Sequence, residues 1–125
     1  MAFSPAEFYT LAQGLHLQAR QDGAPLRTLI SRAYYGALIV ARDAKGLSSK
    51  ERGSHQRVID AYVGQGDISD SLRTLRGLRE KADYEPRTPL TASDGQRALA
   101  CSKRVLHALG ALPSHTLPTV PPAVV

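Results

Sequence analysis

The sequence LISRAYYGALIVA, residues 29–41, decides the fold of this chain. Its apolar residues recur at helical spacing. They cover most of a helix surface, with Tyr35, Leu38 and Ile39 opposite Leu29, Ile30, Ala33, Ala37, Val40 and Ala44. A helix that is apolar on nearly all sides is packed by several neighbours at once. The stretch therefore predicts a central helix around which the other elements pack.

Arg32 is the charged residue of this apolar stretch. A guanidinium on a largely buried helix rarely lacks a partner, because removing a charge from water is costly. A carboxylate elsewhere in the fold would make Arg32 structural, whereas a bound substrate would make it functional. The sequence alone leaves both interpretations open.

The composition is that of a single globular domain with a basic surface. The chain has 125 residues, 42% of them hydrophobic and 22% charged, and a net charge of +5. No signal peptide or membrane-spanning run is recognisable, so a cytoplasmic protein without membrane partners is expected. Cys101 is the single cysteine, and the four histidines show no metal-ligand spacing. The sequence therefore predicts no cofactor and no metal, and its basic charge permits nucleic-acid binding.

Helical periodicity, together with helix-capping and helix-breaking residues, divides residues 1–112 into five helices. The first opens at Ser4 and stops at Gln21–Gly23, and the central one runs from Pro25 to Lys45. A third covers about 55–64, a fourth extends from Asp67 or Ser69 to Tyr84, and a fifth, capped by Ser93 with Gln96, covers about 94–109. These elements predict an all-α, compact up-and-down bundle of four to five helices. A loop at 46–53 and a flexible Pro-rich tail at 113–125 complete the chain.

Two further features of the central helix lead to structural predictions. Gly36 lies in the middle of the central helix, where glycine costs about 1 kcal/mol relative to alanine, so we expect another helix to approach closely there. Tyr34 and Tyr35 are predicted to be core aromatics rather than platforms on which bases stack.

The fourth helix, with the sequence SLRTLRGLREKADYE, holds the candidate nucleic-acid-binding residues Arg73, Arg76 and Arg79. Arg76, Arg79 and Asp83 share one narrow face, and Asp83 lies within reach of Arg79 four residues before it. Asp83 is also the candidate carboxylate for Arg32. One interpretation is a structural ion network of Arg32, Asp83 and Arg79 that joins the second and fourth helices, and the other is phosphate binding by Arg76 and Arg79.

Two motifs resemble those of the HEPN superfamily, namely SRAYYGAL on the second helix and LRGLREKADYE on the fourth. SHQRVIDAY, between them, fits the third helix of that group. The resemblance covers about residues 5–110 and is strongest to short stand-alone prokaryotic members that are encoded beside minimal nucleotidyltransferases.

This resemblance implies a helical bundle that acts on RNA without a metal. It also implies a homodimer, in which Tyr34 and Tyr35 would be dimer-interface as well as core aromatics. It further implies a toxin–antitoxin or defence module, with a nucleotidyltransferase-type antitoxin as a partner. In active members an arginine is followed four to six residues later by a histidine. The histidine would serve as general acid or base, and the arginine would stabilise the charge of the phosphorane.

The chain departs from that pattern because no arginine here is followed by a histidine at four to six residues. Tyr84 stands five residues after Arg79, where the histidine is expected. The candidate catalytic residues are therefore Arg79, Asp83 and Tyr84, although a tyrosine of ordinary pKa is a poor base at neutral pH. His55, at the start of the third helix, is a further base if the fold brings it near Arg79.

Two functions of different classes remain open at this point. The chain is either an RNA-binding or RNA-cleaving HEPN-like protein, or a catalytically degenerate, dimerising interaction module. In the second case its basic surface recruits a protein or a nucleic acid.

Overall fold

The structure, a computed structural model, describes residues 3–47 and 53–113. This part of the chain contains five α-helices: α1 (Glu7–Gly14), α2 (Ala24–Ala44), α3 (Ser54–Asp60), α4 (Gly66–Tyr84) and α5 (Ala92–Ala108). One turn of 3-10 helix, His16–Gln18, follows α1. The predicted all-α bundle is confirmed. Most of the predicted 46–53 loop and of the 113–125 tail lies outside the described residues.

α2 is the central helix, as the sequence predicts, and it packs against the other four. Its inward residues, which include Leu26, Ile30 and Tyr34, are completely buried. Two buried hydroxyls bind carbonyl oxygens of α2: Tyr62 donates to Ala41 and Ser102 donates to Ala33, both at 2.8 Å. Hydrogen bonds of this kind satisfy polar groups that would be costly to bury alone.

Several predicted helix ends differ from those observed. α1 ends at Gly14 rather than at residues 21–23, because a glycine supports a helix poorly and the chain tightens into the 3-10 turn. α3 ends at Asp60 rather than near residue 64. α5 begins two residues before the predicted start, because Thr91 forms the capping box: its hydroxyl accepts from the Asp94 amide, and the Asp94 carboxylate accepts from the Thr91 amide.

α1 crosses α2 at Gly36, which confirms the expected close approach. A Cβ atom at this position would lie 3.2 Å from the amide nitrogen of Tyr9 and 3.3 Å from the Cβ atom of Phe8. Two helix backbones can come this close only where no side chain intervenes. The crossing also brings Phe8 of α1 next to Arg32 of α2.

Arg27, which the sequence analysis did not single out, joins α2 to the end of α4. Its guanidinium binds both carboxylate oxygens of Asp22, at 2.9 and 3.1 Å. It also donates to the backbone carbonyl oxygens of Lys81, Ala82, Glu85 and Thr88. Carbonyl groups at a helix end lack partners within the helix, so Arg27 closes this end and holds α4 in place beside α2. The hydrogen bond from Arg27 also holds the pKa of Asp22 below its ordinary value.

In the described residues, no helix combines the length and the apolar character that crossing a bilayer would require.

Candidate functional site

Arg79 lies at the centre of a polar cluster where α4 faces α2. Its Nε donates to Asp83 at 3.0 Å, and its Nη2 donates to the hydroxyls of Tyr35 at 2.6 Å and Tyr84 at 3.0 Å. The Arg79 side chain is only 13% exposed. The structure therefore brings together Arg79, Asp83 and Tyr84, which the sequence analysis had grouped, and adds Tyr35 from α2.

Aromatic rings surround the Arg79 guanidinium. Its central carbon lies 4.9 Å from the ring centroid of Tyr84, 5.2 Å from that of Tyr35 and 5.7 Å from that of Tyr34. A cation within about 6 Å of an aromatic face is attracted by the ring quadrupole. These contacts, together with the three hydrogen bonds, fix the orientation of the side chain. Nη1 makes no hydrogen bond within the described part of the chain.

His55, at the start of α3, belongs to the same cluster. Its Nδ1 is 2.8 Å from the hydroxyl oxygen of Tyr34, and its ring centroid is 6.0 Å from that of Tyr35. Burial lowers the pKa of His55 from its ordinary value, and the positive charges of Arg79 and Arg76 lower it further. The imidazole is therefore neutral at neutral pH, as a general base must be.

The hydrogen bond between Tyr34 and His55 orients the imidazole in one of two tautomers. Burial raises the pKa of Tyr34 to about 12, so its hydroxyl keeps its proton. If Nδ1 carries the histidine proton, it donates to the tyrosine oxygen, and Nε2 has a free lone pair that can accept a proton. If Tyr34 donates instead, Nε2 carries the proton and can give it up.

A pocket of about 120 Å³ opens beside His55. Its apolar wall consists of Leu38, Ile39 and Val58, while Tyr35, Arg42, Ser54 and His55 supply its polar groups. Because His55 and Tyr35 belong both to this pocket and to the cluster around Arg79, the two features are continuous.

The predicted ion pair between Arg32 and Asp83, which was to join the second and fourth helices, does not form. Arg79 and Asp83 form an ion pair, but Arg32 is not within ion-pair distance of Asp83. The Ser31 hydroxyl lies between them: it accepts from Arg32 Nη2 at 3.2 Å and donates to Asp83 at 3.3 Å. Ser31 can do this because it precedes Arg32 on α2 and is buried against α4.

Arg73 and Arg76 occupy more exposed positions than Arg79. Arg76 donates to the Gln56 side chain of α3 at 2.6 Å and lies 3.6 Å from Glu80. Its side chain is 34% exposed, and its charge acts on Tyr34 and His55, so it borders the cluster. Arg73 is 54% exposed and pairs with Asp70. The structure thus places Arg76 beside the site and leaves Arg73 outside it.

The four-residue spacing of Arg79 and Asp83 on one helix predicted their contact, but nothing in the sequence predicted the hydrogen bonds of Tyr34 and Tyr35. Tyr34 is a completely buried core residue, as predicted, yet its hydroxyl positions His55. About twenty residues separate the two along the chain, so only the packing of α3 against α2 brings them together. Among the described residues, no three His, Cys, Asp or Glu side chains are grouped as metal ligands.

The lowered pKa of His55 predicts a pH dependence of stability. The unfolded chain takes up a proton on His55 near its ordinary pKa of about 6.5, before the folded protein does. This contribution to stability is therefore complete above that pH and is lost as the pH falls through the lower pKa of the folded state. We expect chemical denaturation to give a smaller free energy of unfolding at about pH 5 than at about pH 7.5.

The matched variant for this measurement is His55→Gln, which cannot titrate. It should show a weaker pH dependence over the same interval. An unchanged dependence would show that His55 is not the group responsible.

Comparison of this chain with protein-family models, with curated proteins and with solved structures found no match.

Proposed function

We propose that this chain is a HEPN-like protein that binds RNA and cleaves it without a metal ion at the cluster around Arg79. The observation that carries the proposal is the placement of a neutral, oriented histidine, His55, in contact with the tyrosines that also hold Arg79. A general base and a cation for the phosphate are the two groups that this chemistry requires. The motif resemblance noted above supports the same assignment.

In the proposed reaction, Nε2 of His55 removes the proton from a 2′-hydroxyl of the RNA. The 2′-oxygen then attacks the adjacent phosphorus, and the bond from phosphorus to the 5′-oxygen breaks. The products are a 2′,3′-cyclic phosphate and a free 5′-hydroxyl. This route uses the tautomer in which Nδ1 donates to Tyr34.

Two residues of α4, Arg79 and Tyr84, act on the phosphorane and on the departing 5′-oxygen. Nη1 of Arg79 stabilises the extra negative charge on the phosphorane oxygens. The Tyr84 hydroxyl accepts from Arg79, so its own proton is free to pass to the departing 5′-oxygen. Tyr84 is 66% exposed, which supports access to this proton. Asp83 keeps Arg79 in position through their ion pair.

The remaining parts of the proposal rest on the motif resemblance. The protein forms a homodimer, with RNA in the cleft between the two copies. It is the RNA-directed component of a toxin–antitoxin or defence module, and a nucleotidyltransferase-type antitoxin restrains it.

The test is an RNA-cleavage assay on the purified protein in the presence of EDTA. We expect cleavage to persist in EDTA and to fall by about 10²- to 10³-fold in Arg79→Ala, the range found when a group that stabilises an oxyanion is removed. Tyr84→Phe, which keeps the ring and removes the hydroxyl, should lower the rate and leave RNA binding unchanged. Thermal unfolding of each variant shows whether the fold is intact. A folded wild-type protein that cleaves no RNA would refute the catalytic proposal.

One observation favours the non-catalytic alternative. The Arg79 side chain is nearly buried, and two of its three nitrogens already bind protein groups, so the cluster also fits a structural junction between α2 and α4. On this interpretation Arg79→Ala lowers stability, because the partly exposed Asp83 carboxylate and the hydroxyls of Tyr35 and Tyr84 lose their partner. The protein is then an interaction module, and no cleavage exists to be lost.

A further inference from the structure

Arg32 is a partly buried guanidinium that has few polar partners. Its central carbon lies 5.2 Å from the ring centroid of Phe8 on α1 and 5.2 Å from that of Tyr35 on α2. Among the described residues, its one hydrogen bond runs from Nη2 to the Ser31 hydroxyl. Arginine carries five N–H donors. Stacking against the two rings therefore fixes the guanidinium while leaving most of its donors unused within the described residues.

Arg32 lines an open cleft of about 440 Å³. The cleft is lined by Ala24, Arg27, Thr28, Ser31, Arg32 and Asp83. Thr28 is exposed and adds a hydroxyl to the wall. The cleft therefore offers a stacked guanidinium and a hydroxyl side by side on one face of α2.

The charges around this cleft do not neutralise Arg32. Asp22 binds Arg27 through both carboxylate oxygens, and Asp83 is paired with Arg79 at 3.0 Å. Each carboxylate near the cleft thus already has a cationic partner. Within the described residues no carboxylate lies at ion-pair distance from Arg32, and its side chain lines the open cleft.

We propose that Arg32 binds a phosphate group of the RNA backbone, at a subsite next to the one where Arg79 acts. The inference rests on the proposed function, since it takes RNA as the ligand. Both guanidinium carbons lie 5.2 Å from the centroid of the same Tyr35 ring, so the two cations are neighbours. The planar fork of an arginine binds two oxygens of one phosphate at once. Asp83 also lines the cleft, and its negative charge repels a phosphate dianion more strongly than a phosphodiester, which carries a single charge.

The test measures binding separately from cleavage. A labelled single-stranded RNA with 2′-O-methyl groups cannot undergo the proposed reaction, and its affinity is measured by fluorescence anisotropy at several salt concentrations. Each phosphate neutralised on a single strand contributes about 0.7 to the slope of log K against log salt. We expect Arg32→Gln to reduce the slope by about that amount. Arg97→Gln, an exposed arginine of α5 paired with Asp94, should leave the slope unchanged.

A second variant keeps the test valid if Arg32→Gln does not fold. Thr28→Val removes the hydroxyl from the exposed wall without disturbing the stacked guanidinium, and thermal unfolding should not change. We expect it to lower RNA affinity by about threefold to tenfold, the effect of one lost hydrogen bond. Unchanged affinity in Thr28→Val, or an unchanged slope in a folded Arg32→Gln, would overturn the proposal.

The same measurements separate this proposal from the one on cleavage. If the slope depends on Arg32 while unmodified RNA is not cleaved, the phosphate subsite stands and the catalytic proposal fails. A measurement with inorganic phosphate at matched ionic strength tests whether the site binds free phosphate instead of RNA. If it stabilises the wild type but not Arg32→Gln, while the RNA slope is the same in both, the site takes free phosphate and the assignment to RNA is wrong.

Discussion

Replacement of His55 by alanine is expected to lower RNA cleavage by about 10²- to 10⁴-fold, the usual contribution of a general base. The expectation follows from three features of the site. Burial and the charges of two arginines lower the pKa of the imidazole, so it is neutral. The Tyr34 hydroxyl orients the imidazole, and the Arg79 guanidinium lies against the rings of Tyr34 and Tyr35. The measurement is the single-turnover rate on unmodified RNA in EDTA.

The matched control is His107→Ala, because His107 is exposed on α5 and does not belong to the cluster. Its rate should equal that of the wild type. Tyr34→Phe keeps the ring and removes the group that orients His55, so an intermediate loss of rate is expected. Equal losses in His55→Ala and His107→Ala, or none in either, would remove His55 from the catalytic assignment.

Replacement of Gly36 by valine is expected to destabilise the protein by about 1–3 kcal/mol, the usual cost of overpacking. A Cβ alone would already lie 3.2 Å from the Tyr9 backbone and 3.3 Å from the Phe8 Cβ, and valine adds two methyl groups beyond it. Backbone atoms cannot move aside as a flexible side chain can, so α1 must shift away from α2. The free energy of unfolding in urea measures the effect.

Gly77→Val is the control, because Gly77 lies on the exposed side of α4 with nothing within 4 Å of a Cβ at that position. Its unfolding free energy should change by no more than about 0.5 kcal/mol. Valine forms helices no less well than glycine, so helix propensity predicts no loss in either variant, and a similar loss in both would point to a general effect of the added side chain. In that case the close crossing of α1 and α2 would not be the cause.

The Gly36 crossing also connects the fold to the proposed phosphate subsite. Phe8 lies at this crossing and stacks against Arg32. A displacement of α1 in Gly36→Val should therefore move one of the two rings that fix the Arg32 guanidinium.

The sequence by itself determined the class of the fold and its centre. The apolar surface of residues 29–41 requires neighbours on all sides, and the glycine within it requires a close crossing. The structure has both. Local rules were less reliable at helix ends: the sequence predicted Ser93 with Gln96 as the cap of α5, whereas in the folded chain Thr91 and Asp94 form the capping box.

The pairing of Arg79 with Asp83 was also determined locally, since a spacing of four residues on one helix brings the two side chains together. The Arg79–Asp83–Tyr84 group was therefore readable from one stretch of sequence. The partner of Arg32 was not, because Ser31 lies between it and the expected carboxylate.

Only the tertiary structure decided which residues from other helices join this group. Tyr35 and Tyr34 come from α2 and His55 comes from α3, while Phe8 of α1 stacks against Arg32 rather than Arg79. Contacts between residues distant in the chain depend on how helices cross, and helical periodicity carries no information about that. The physical reason is that a helix fixes the directions of its own side chains, whereas packing of the whole core fixes what those side chains meet.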